Sequence, residues 1–149
     1  MTRILFVCTG NICRSPTAEG VLRHHAQGMD IETDSAGIMG YHIGDMPDPR
    51  TIATEKIRGY DLTALRARKV MAADFNTYDL ILAMDKGHHE ALIAMAPAAS
   101  TAEIALFLDY ARECDYDEVP DPYYGEARDF ELVLDLVEQG VNGLIESIK

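Results

Sequence analysis

The sequence predicts an α/β fold, a doubly wound four-stranded parallel sheet flanked by helices, because strand-like and helix-like segments alternate along the chain. Two further observations support this prediction. The apolar runs are short, continuous and bounded by turn-forming residues, as expected for strands buried between two layers of helices. The 149 residues suffice for one core and show no repeat or linker, which predicts a single domain over 1–149.

The first strand is predicted over residues 3–8, where RILFVC forms a short buried run that ends at Cys8. Residues 9–14 interrupt the apolar pattern with a glycine, an asparagine and a second cysteine. A helix is expected to follow, with Ser15 as its cap and Pro16 at its first position, and to end near residue 27. Cys8 is therefore expected where a strand gives way to a helix.

The rest of the chain continues this alternation. Strands are predicted over 31–36, 79–84 and 103–108, helices over 49–59, 73–77, 86–95 and 129–148, and loops over 37–49 and 110–125. The last helix has the clearest signal, because its apolar residues recur at helical spacing. Ligands of doubly wound sheets bind beyond the carboxyl ends of the strands, where the strand order reverses. We expect that reversal at the first strand, and therefore a site beside Cys8.

Composition restricts the possible ligands and compartments. The net charge is −12 and the lysines and arginines are scattered, which argues against nucleic-acid binding. The amino-terminal apolar run is too short for a signal peptide or a membrane span. We therefore expect no membrane association and a cytoplasmic location, with secretion that needs no signal peptide as the alternative. An anion site in so acidic a chain has to be local, built from backbone N–H groups and one or two arginines.

Cysteine and histidine usage gives no indication of a metal site or another cofactor. The chain has three cysteines, and an odd number without an export signal does not suggest a disulfide framework. The pairs His24–His25 and His88–His89 are adjacent in sequence, which is not a helical ligand spacing. We expect no metal and no cofactor, and we expect the five histidines to be exposed residues of helices or loops.

The segment between the first strand and the first helix has the composition of an anion-binding loop. It consists of Cys8, Thr9, Gly10, Asn11, Ile12, Cys13, Arg14 and Ser15. A loop of this length can turn successive N–H groups toward one centre, and the following helix adds the positive end of its dipole. Gly10 gives the backbone freedom to turn, and Asn11 tolerates left-handed geometry. These features predict a phosphate-binding loop after the first strand.

Cys8 and Arg14 carry the chemistry predicted for this loop. A thiol beside a helix N-terminus and an arginine is stabilised as the thiolate, which is a good nucleophile toward phosphorus. Arg14 can grip two phosphoryl oxygens in a bidentate fork. Ser15 can donate to the thiolate and help it leave when the intermediate breaks down. The sequence thus predicts a metal-free phosphate-monoester hydrolase in which Cys8 is the nucleophile.

A second polar segment supplies a proton donor and aromatic side chains. Asp121 lies between two prolines, and its carboxyl group could protonate the departing oxygen and then, as a carboxylate, activate water. Tyr123 and Tyr124 follow it directly. Together with Tyr41 they are predicted to line a slot that grips a phenyl ring. Such a slot favours phosphotyrosine, because the shorter phosphoserine would not reach the thiolate.

These motifs and their order along the chain make the sequence similar to the low-molecular-weight protein tyrosine phosphatases. The resemblance rests on VCTGNICRSP over 7–16, DSAG over 34–37, DPR over 48–50 and DPYY over 121–124. Further matching blocks lie between these segments, so that the resemblance extends over nearly the whole chain. It implies Cys8 as nucleophile, Arg14 as phosphate ligand and Asp121 as general acid and base.

The resemblance also implies roles for residues around the nucleophile. Asn11, Ser15 and Ser35 would form the hydrogen-bond network that shapes the loop. Cys13 would trap an oxidised Cys8 as a reversible disulfide, which prevents further oxidation. The implied partner is a phosphotyrosine-containing protein, with a tyrosine kinase among the candidates.

Two positions depart from the family pattern. Leu65 stands where many members have a histidine, so we expect a supporting polar contact to be missing there. Tyr41 replaces a frequent tryptophan, which keeps an aromatic wall but alters substrate choice.

Asp85, at the end of the third predicted strand, either supports the substrate loop or caps the next helix.

Three other functions fit the motifs less well. A thiol-dependent arsenate reductase shares the fold and the loop but needs resolving cysteines after the third strand, and the chain has none between Asp85 and Arg112. A phosphotyrosine-binding module would need neither Cys8 nor Asp121. A metal-dependent phosphatase would need aspartates and histidines clustered at ligand spacing, which the sequence lacks.

Overall fold

Four of the apolar runs pair as parallel strands in a computed structural model that describes residues 1–149. The strands are β1 (Thr2–Cys8), β2 (Ile31–Gly37), β3 (Leu80–Ala83) and β4 (Glu103–Leu106). The helices are α1 (Arg14–His25), α2 (Pro49–Ile57), α3 (Asp74–Thr77), α4 (Lys86–Met95) and α5 (Ala127–Ile148). A 3₁₀ turn over Phe107–Tyr110 follows β4.

The strand order is β2-β1-β3-β4, and every neighbouring pair is parallel. The chain forms β2 on one side of β1 and then crosses to the other side to form β3 and β4. The order therefore reverses beside β1, and the predicted doubly wound four-stranded α/β fold is confirmed. Cys8, the last residue of β1, lies at the carboxyl edge where ligands of such sheets bind.

The side chains of β1 alternate between two apolar layers. Ile4, Phe6 and Cys8 belong to the layer that includes residues of α1 and α5. Leu5 and Val7 belong to the layer that includes residues of α3 and α4. None of the five is more than 3 % exposed. Because both layers are close-packed, Cys8 is positioned by the core rather than by the loop that follows it.

The start of α1 differs from the prediction. The helix begins at Arg14, and the N-cap position is Cys13, whose side chain makes no capping hydrogen bond. Ser15 lies in the first turn, and its hydroxyl group contacts Cys8 instead of a helix N–H. The predicted cap at Ser15 is therefore wrong. The Ser-Pro pattern was misleading because the first helical turn accepts proline, since its N–H groups have no intrahelical partner.

The end of β4 also differs from the prediction. The strand expected over 103–108 ends at Leu106, and Phe107 begins the 3₁₀ turn. The ring of Phe107 packs edge-on against that of Phe6, with 5.3 Å between the ring centroids. The apolar run thus extends beyond β4 because its last residues are buried in the core without being paired in the sheet.

The carboxyl-terminal helix α5 begins at Ala127, ahead of the predicted start at Asp129. Glu126 and Asp129 form a capping box in which each side chain accepts from the backbone N–H of the other residue. The buried face of α5 packs on α1, α2 and the 3₁₀ turn. No helix of the structure, α5 included, combines the length and the apolar character needed to cross a membrane.

Candidate active site

The backbone carbonyl groups and the backbone N–H groups of the loop between β1 and α1 differ in their hydrogen bonding. Its carbonyl groups at residues 8, 9 and 12 accept hydrogen bonds from the N–H groups of residues 38, 39 and 48. None of the N–H groups of residues 9–13 donates to a protein group. Asn11 adopts the left-handed conformation that the turn requires, with φ of 59°. The N–H groups are therefore available to an anion, as expected for a phosphate-binding loop.

Cys8 lies at the base of this loop, and its side chain contacts Ser15. The sulfur of Cys8 is 2.9 Å from the hydroxyl oxygen of Ser15. That oxygen accepts a hydrogen bond from Nδ2 of Asn11 at 2.8 Å. The hydroxyl proton of Ser15 can therefore be donated to the sulfur. This is the contact that the predicted role of Ser15 requires.

The side chain of Asn11 ties the loop to three parts of the chain. Its Nδ2 also donates to Ser35 Oγ at 2.9 Å, and its Oδ1 accepts from the N–H of Arg68 at 3.0 Å. Ser35 in turn donates to Glu19 at 2.6 Å. The structure thus brings the predicted network residues together.

Glu19 is a network member that the sequence analysis missed. It lies on α1 and is only 3 % exposed. Burial raises the pKa of its carboxyl group, and the hydrogen bond from Ser35 and the charge of Arg23 oppose that shift. The only signal of this role in the sequence is the position of Glu19 on the side of α1 that faces the sheet.

Arg14 is 4 % exposed, and protein acceptors fix its guanidinium group. Nη1 donates to Asp85 Oδ2 at 3.0 Å and to the carbonyl oxygen of Val119 at 3.1 Å. Nη2 donates to the hydroxyl oxygen of Thr9 at 3.2 Å. Asp85 also caps α4 by accepting from the N–H of His88 at 2.8 Å. Asp85 thus caps the helix and also supports the loop through Arg14.

His88 is the second residue that the sequence analysis missed, and the prediction that it is exposed is wrong. Its side chain is 7 % exposed, and its Nε2 lies 2.7 Å from Thr9 Oγ1. Burial, followed by the charge of Arg14, lowers the pKa of His88 to about 4. The imidazole is therefore neutral at neutral pH.

Asp121 lies next to Arg14, although the two residues are far apart in the sequence. Its Oδ2 is 3.7 Å from Nη2 of Arg14, and its Oδ1 accepts from the N–H of Tyr123 at 3.1 Å. The Asp121 side chain is half-exposed. The predicted proton donor is thus beside the predicted phosphate ligand and remains open to solvent.

One cavity of about 350 Å³ collects the predicted catalytic residues and the predicted slot tyrosines. It is lined by Cys8, Thr9, Gly10, Ile12, Cys13, Arg14, Tyr41, His42, Asp121, Tyr123 and Tyr124. Tyr41 and Tyr124 are 75 % and 94 % exposed. The rings of Tyr123 and Tyr124 meet edge to face, with 4.9 Å between their centroids. A larger hollow of about 440 Å³ between Arg23 and Tyr78 contains no cysteine or histidine, so we assign no chemistry to it.

Cys13 lines the same cavity as Cys8 but has a different environment. It is 5 % exposed and forms no disulfide. Burial raises the pKa of the Cys13 thiol to about 12, and the nearby charges of Asp48 and Asp121 act in the same direction. Cys13 is therefore a protonated thiol at neutral pH.

The fold and the loop together define a class of protein. Its members are doubly wound α/β proteins in which a cysteine at the end of the first strand and an arginine at the start of the next helix enclose an oxyanion site. The model of the family described as low molecular weight phosphotyrosine protein phosphatase matches residues 3–149. The chain belongs to this family.

Individual relatives agree with this assignment. A low molecular weight protein-tyrosine-phosphatase of Streptomyces coelicolor is 42% identical over 155 residues, which cover 99% of this chain and 93% of the relative. The crystal structure of a protein tyrosine phosphatase from Entamoeba histolytica, with Hepes in its active site, has a TM-score of 0.94 and 36% identity, and the match covers 99% and 97% of the two chains. A drosophila arginine phosphatase is 29% identical with a TM-score of 0.93, over 100% of this chain and 98% of that one.

Proposed function

We propose that this chain is a protein-tyrosine phosphatase that hydrolyses phosphotyrosine and small aryl phosphates through a phosphocysteine intermediate on Cys8. The observation that carries the proposal is the meeting of Cys8, Arg14 and Asp121 on one cavity. These residues supply a nucleophile, an anion ligand and a proton donor, the three groups that hydrolysis of a phosphate monoester needs. The proposed reaction uses no metal and no cofactor.

In the first step, the Cys8 thiolate attacks phosphorus in line with the leaving oxygen. The S–P bond forms while the P–O bond to the aryl group breaks. Arg14 and the free N–H groups of residues 9–13 bind the nonbridging oxygens, where negative charge is concentrated. Asp121 gives its proton to the departing phenoxide. Because Asp121 is half-exposed, the leaving group and its peptide can remain outside the loop.

In the second step, water attacks the phosphocysteine. The Asp121 carboxylate accepts a proton from this water, the S–P bond breaks, and the thiolate leaves with the bonding electron pair. Ser15, whose hydroxyl oxygen is 2.9 Å from the sulfur, stabilises the thiolate as it forms. Inorganic phosphate is released, and Asp121 is again protonated for the next turnover.

The substrate class follows from the depth of the site and its aromatic walls. Cys8 is buried at the base of the cavity, whereas Tyr41 and Tyr124 stand exposed at its rim. A phenyl ring between these side chains is gripped by stacking and apolar contact while its phosphoryl group reaches the sulfur. The side chain of phosphoserine is too short for that reach. We propose phosphotyrosine-containing proteins as partners, tyrosine kinases among them, and no nucleic acid or membrane partner.

We propose that Cys13 protects Cys8 from irreversible oxidation. When peroxide converts the Cys8 thiolate to a sulfenic acid, the Cys13 sulfur attacks it, forms a disulfide and releases water. A thiol reductant then returns both residues to the thiol state. One observation supports this role, because both sulfurs line one cavity.

Two alternative activities are less well supported. Arsenate could enter the same loop, but its reduction needs resolving thiols, and Cys114 is the only cysteine beyond the loop. One relative of the same fold is described as an arginine phosphatase. The aromatic rim formed by Tyr41, Tyr123 and Tyr124 favours an aryl phosphate over the flexible phosphoguanidinium chain.

The proposal is tested by the hydrolysis of p-nitrophenyl phosphate in EDTA at mildly acidic pH. Wild type and Cys114→Ser should turn over equally, whereas Cys8→Ser should be inactive at equal folding by circular dichroism. Peptides that carry phosphotyrosine, phosphoserine or phosphoarginine then rank the substrates, and phosphotyrosine should have the highest kcat/KM. A well-folded wild type without turnover, or a Cys8→Ser variant that remains active, would refute the mechanism.

A further inference from the structure

Two side chains beside the phosphate loop take no part in the reaction steps described above. They are those of Thr9, which follows the nucleophile directly, and His88 on α4. The imidazole Nε2 of His88 lies 2.7 Å from the hydroxyl oxygen of Thr9. The same oxygen accepts a hydrogen bond from Nη2 of Arg14 at 3.2 Å. His88 therefore contacts the phosphate ligand Arg14 through one intervening hydroxyl group.

These residues close a ring with Asp85. Arg14 Nη1 donates to Oδ2 of Asp85 at 3.0 Å, and the backbone N–H of His88 donates to Oδ1 of the same carboxylate at 2.8 Å. Every member of the ring except Thr9 is buried or half-buried. The guanidinium group of Arg14 is thus held at Nη1 by a carboxylate and at Nη2 by the Thr9 hydroxyl, which itself contacts His88.

The position of the imidazole proton decides what Thr9 can do. Nδ1 of His88 is buried and lies 3.1 Å from Oδ1 of Asp85, and it has no hydrogen-bond partner. A lone pair at Nδ1 would be repelled by that carboxylate, whereas an N–H would be attracted to it. We therefore assign the proton to Nδ1 and the lone pair to Nε2. The Thr9 hydroxyl then donates to Nε2 and presents its oxygen lone pairs to Arg14.

We propose that His88 is a positioning residue that acts through Thr9. By accepting the Thr9 proton, it keeps the Thr9 oxygen an acceptor for Nη2 of Arg14 and so orients the guanidinium group toward the incoming phosphoryl oxygens. This inference rests on the proposed phosphatase function. The hydrogen bonds among Arg14, Thr9, His88 and Asp85 can nevertheless be tested by measurements that need no turnover.

The charges around the imidazole are consistent with this role. Arg14 disfavours a second cation beside it, while the carboxylates of Asp85, Asp121 and Glu118 act in the opposite direction. Burial and Arg14 together keep the pKa of His88 well below its usual range. The lone pair at Nε2 is therefore available over the whole neutral range. A protonated imidazole would donate at Nε2 and turn the Thr9 proton toward Arg14.

The first test is the tautomer of His88, measured by long-range ¹H–¹⁵N correlation on the ¹⁵N-labelled protein at neutral pH. We expect a protonated Nδ1 and an unprotonated Nε2, and this pattern should persist when inorganic phosphate is bound. A proton on Nε2 would overturn the proposal, because Thr9 would then lose its proton acceptor.

The second test measures the affinity for inorganic phosphate. We expect His88→Ala to weaken phosphate binding about tenfold, the typical effect of a lost hydrogen bond in a polar network. His88→Gln should restore most of it, because its amide oxygen can accept from Thr9. His89→Ala, a change on the same helix next to His88, should bind phosphate like wild type.

The third measurement separates positioning from a structural role. In a Thr9→Val background, His88→Ala should cause no further loss of phosphate affinity, because the path through the hydroxyl is already removed. Equal losses in both backgrounds would mean that His88 acts only by stabilising α4, and would refute the proposal. If wild type binds phosphate with the expected tautomer but does not hydrolyse aryl phosphates, the proposed phosphatase function is refuted. The proposed role of His88 in orienting Arg14 is then still supported.

Discussion

Replacing Glu55 with glutamine should change how the stability of the protein depends on pH. Glu55 lies on α2 and is 1 % exposed, and its Oε1 has no hydrogen-bond partner. Burial, followed by the charge of Glu138, raises the pKa of this carboxyl group from 4.5 to about 8, while Arg58 opposes the shift. Glu55 is therefore protonated in the native state at neutral pH but ionised in the unfolded chain.

The direction and size of the effect follow from linkage. Between about pH 4.5 and pH 8 the folded state binds one proton more than the unfolded state, so the free energy of unfolding falls as pH rises through this range. Each pH unit corresponds to about 1.4 kcal/mol, so the ceiling over this interval is about 5 kcal/mol. Because local relaxation and water reduce such costs, we expect about 2–5 kcal/mol.

The assay is urea unfolding of wild type, Glu55→Gln and the exposed control Glu131→Gln at a series of pH values. Wild type and the control should lose stability together from about pH 5 to pH 8, whereas Glu55→Gln should lose markedly less. Below about pH 4.5 the stability of Glu55→Gln should approach that of wild type, because glutamine resembles the protonated acid. Parallel curves for Glu55→Gln and wild type across the whole range would refute the reasoning.

Three further substitutions test the packing and the loop. Gly143→Ala should lower the free energy of unfolding by about 3 kcal/mol, because a Cβ there would overlap the carbonyl oxygen of Tyr110; an unchanged urea midpoint would contradict this. Asn11→Ala removes hydrogen bonds of 2.8, 2.9 and 3.0 Å and leaves alanine at φ of 59°, so kcat/KM should fall at least about tenfold in an aryl phosphate assay. Cys13→Ser should reduce the fraction of activity that a thiol restores after peroxide treatment, and equal recovery in both proteins would exclude a protective disulfide with Cys8.

The part of the site that is contiguous in sequence was predictable from the sequence. The loop from Cys8 to Ser15 combines a buried strand, a glycine, an arginine and a helix start within a few residues, and each feature has a local physical meaning. The reversal of strand order beside β1 could be predicted as well, because it follows from general rules for parallel sheets. These predictions needed no knowledge of how distant segments pack.

Residues that act through long-range contacts were not predictable in the same way. His88 reaches Thr9 only because β3 pairs with β1, which places the start of α4 beside the phosphate loop. Its neighbour His89 has the same side chain, and no periodicity in the sequence distinguishes the two. Glu19 was missed for a related reason, because a carboxylate on a helix is usually exposed. Glu19 joins the hydrogen-bond network only because the fold places Ser35 next to it.

The proposed phosphate-binding residues are buried, whereas the proposed substrate-binding residues are exposed. Cys8 and Arg14 are buried, and hydrogen bonds with residues distant in sequence hold the loop that contains them. Asp121, Tyr41 and Tyr124 lie on exposed loops with few partners. In-line attack on phosphorus demands fixed geometry, whereas proteins that carry phosphotyrosine differ in the surface around it. A buried, hydrogen-bonded loop with an exposed rim would suit one chemistry on several protein substrates, so we expect substitutions at the rim to change KM more than the binding of inorganic phosphate.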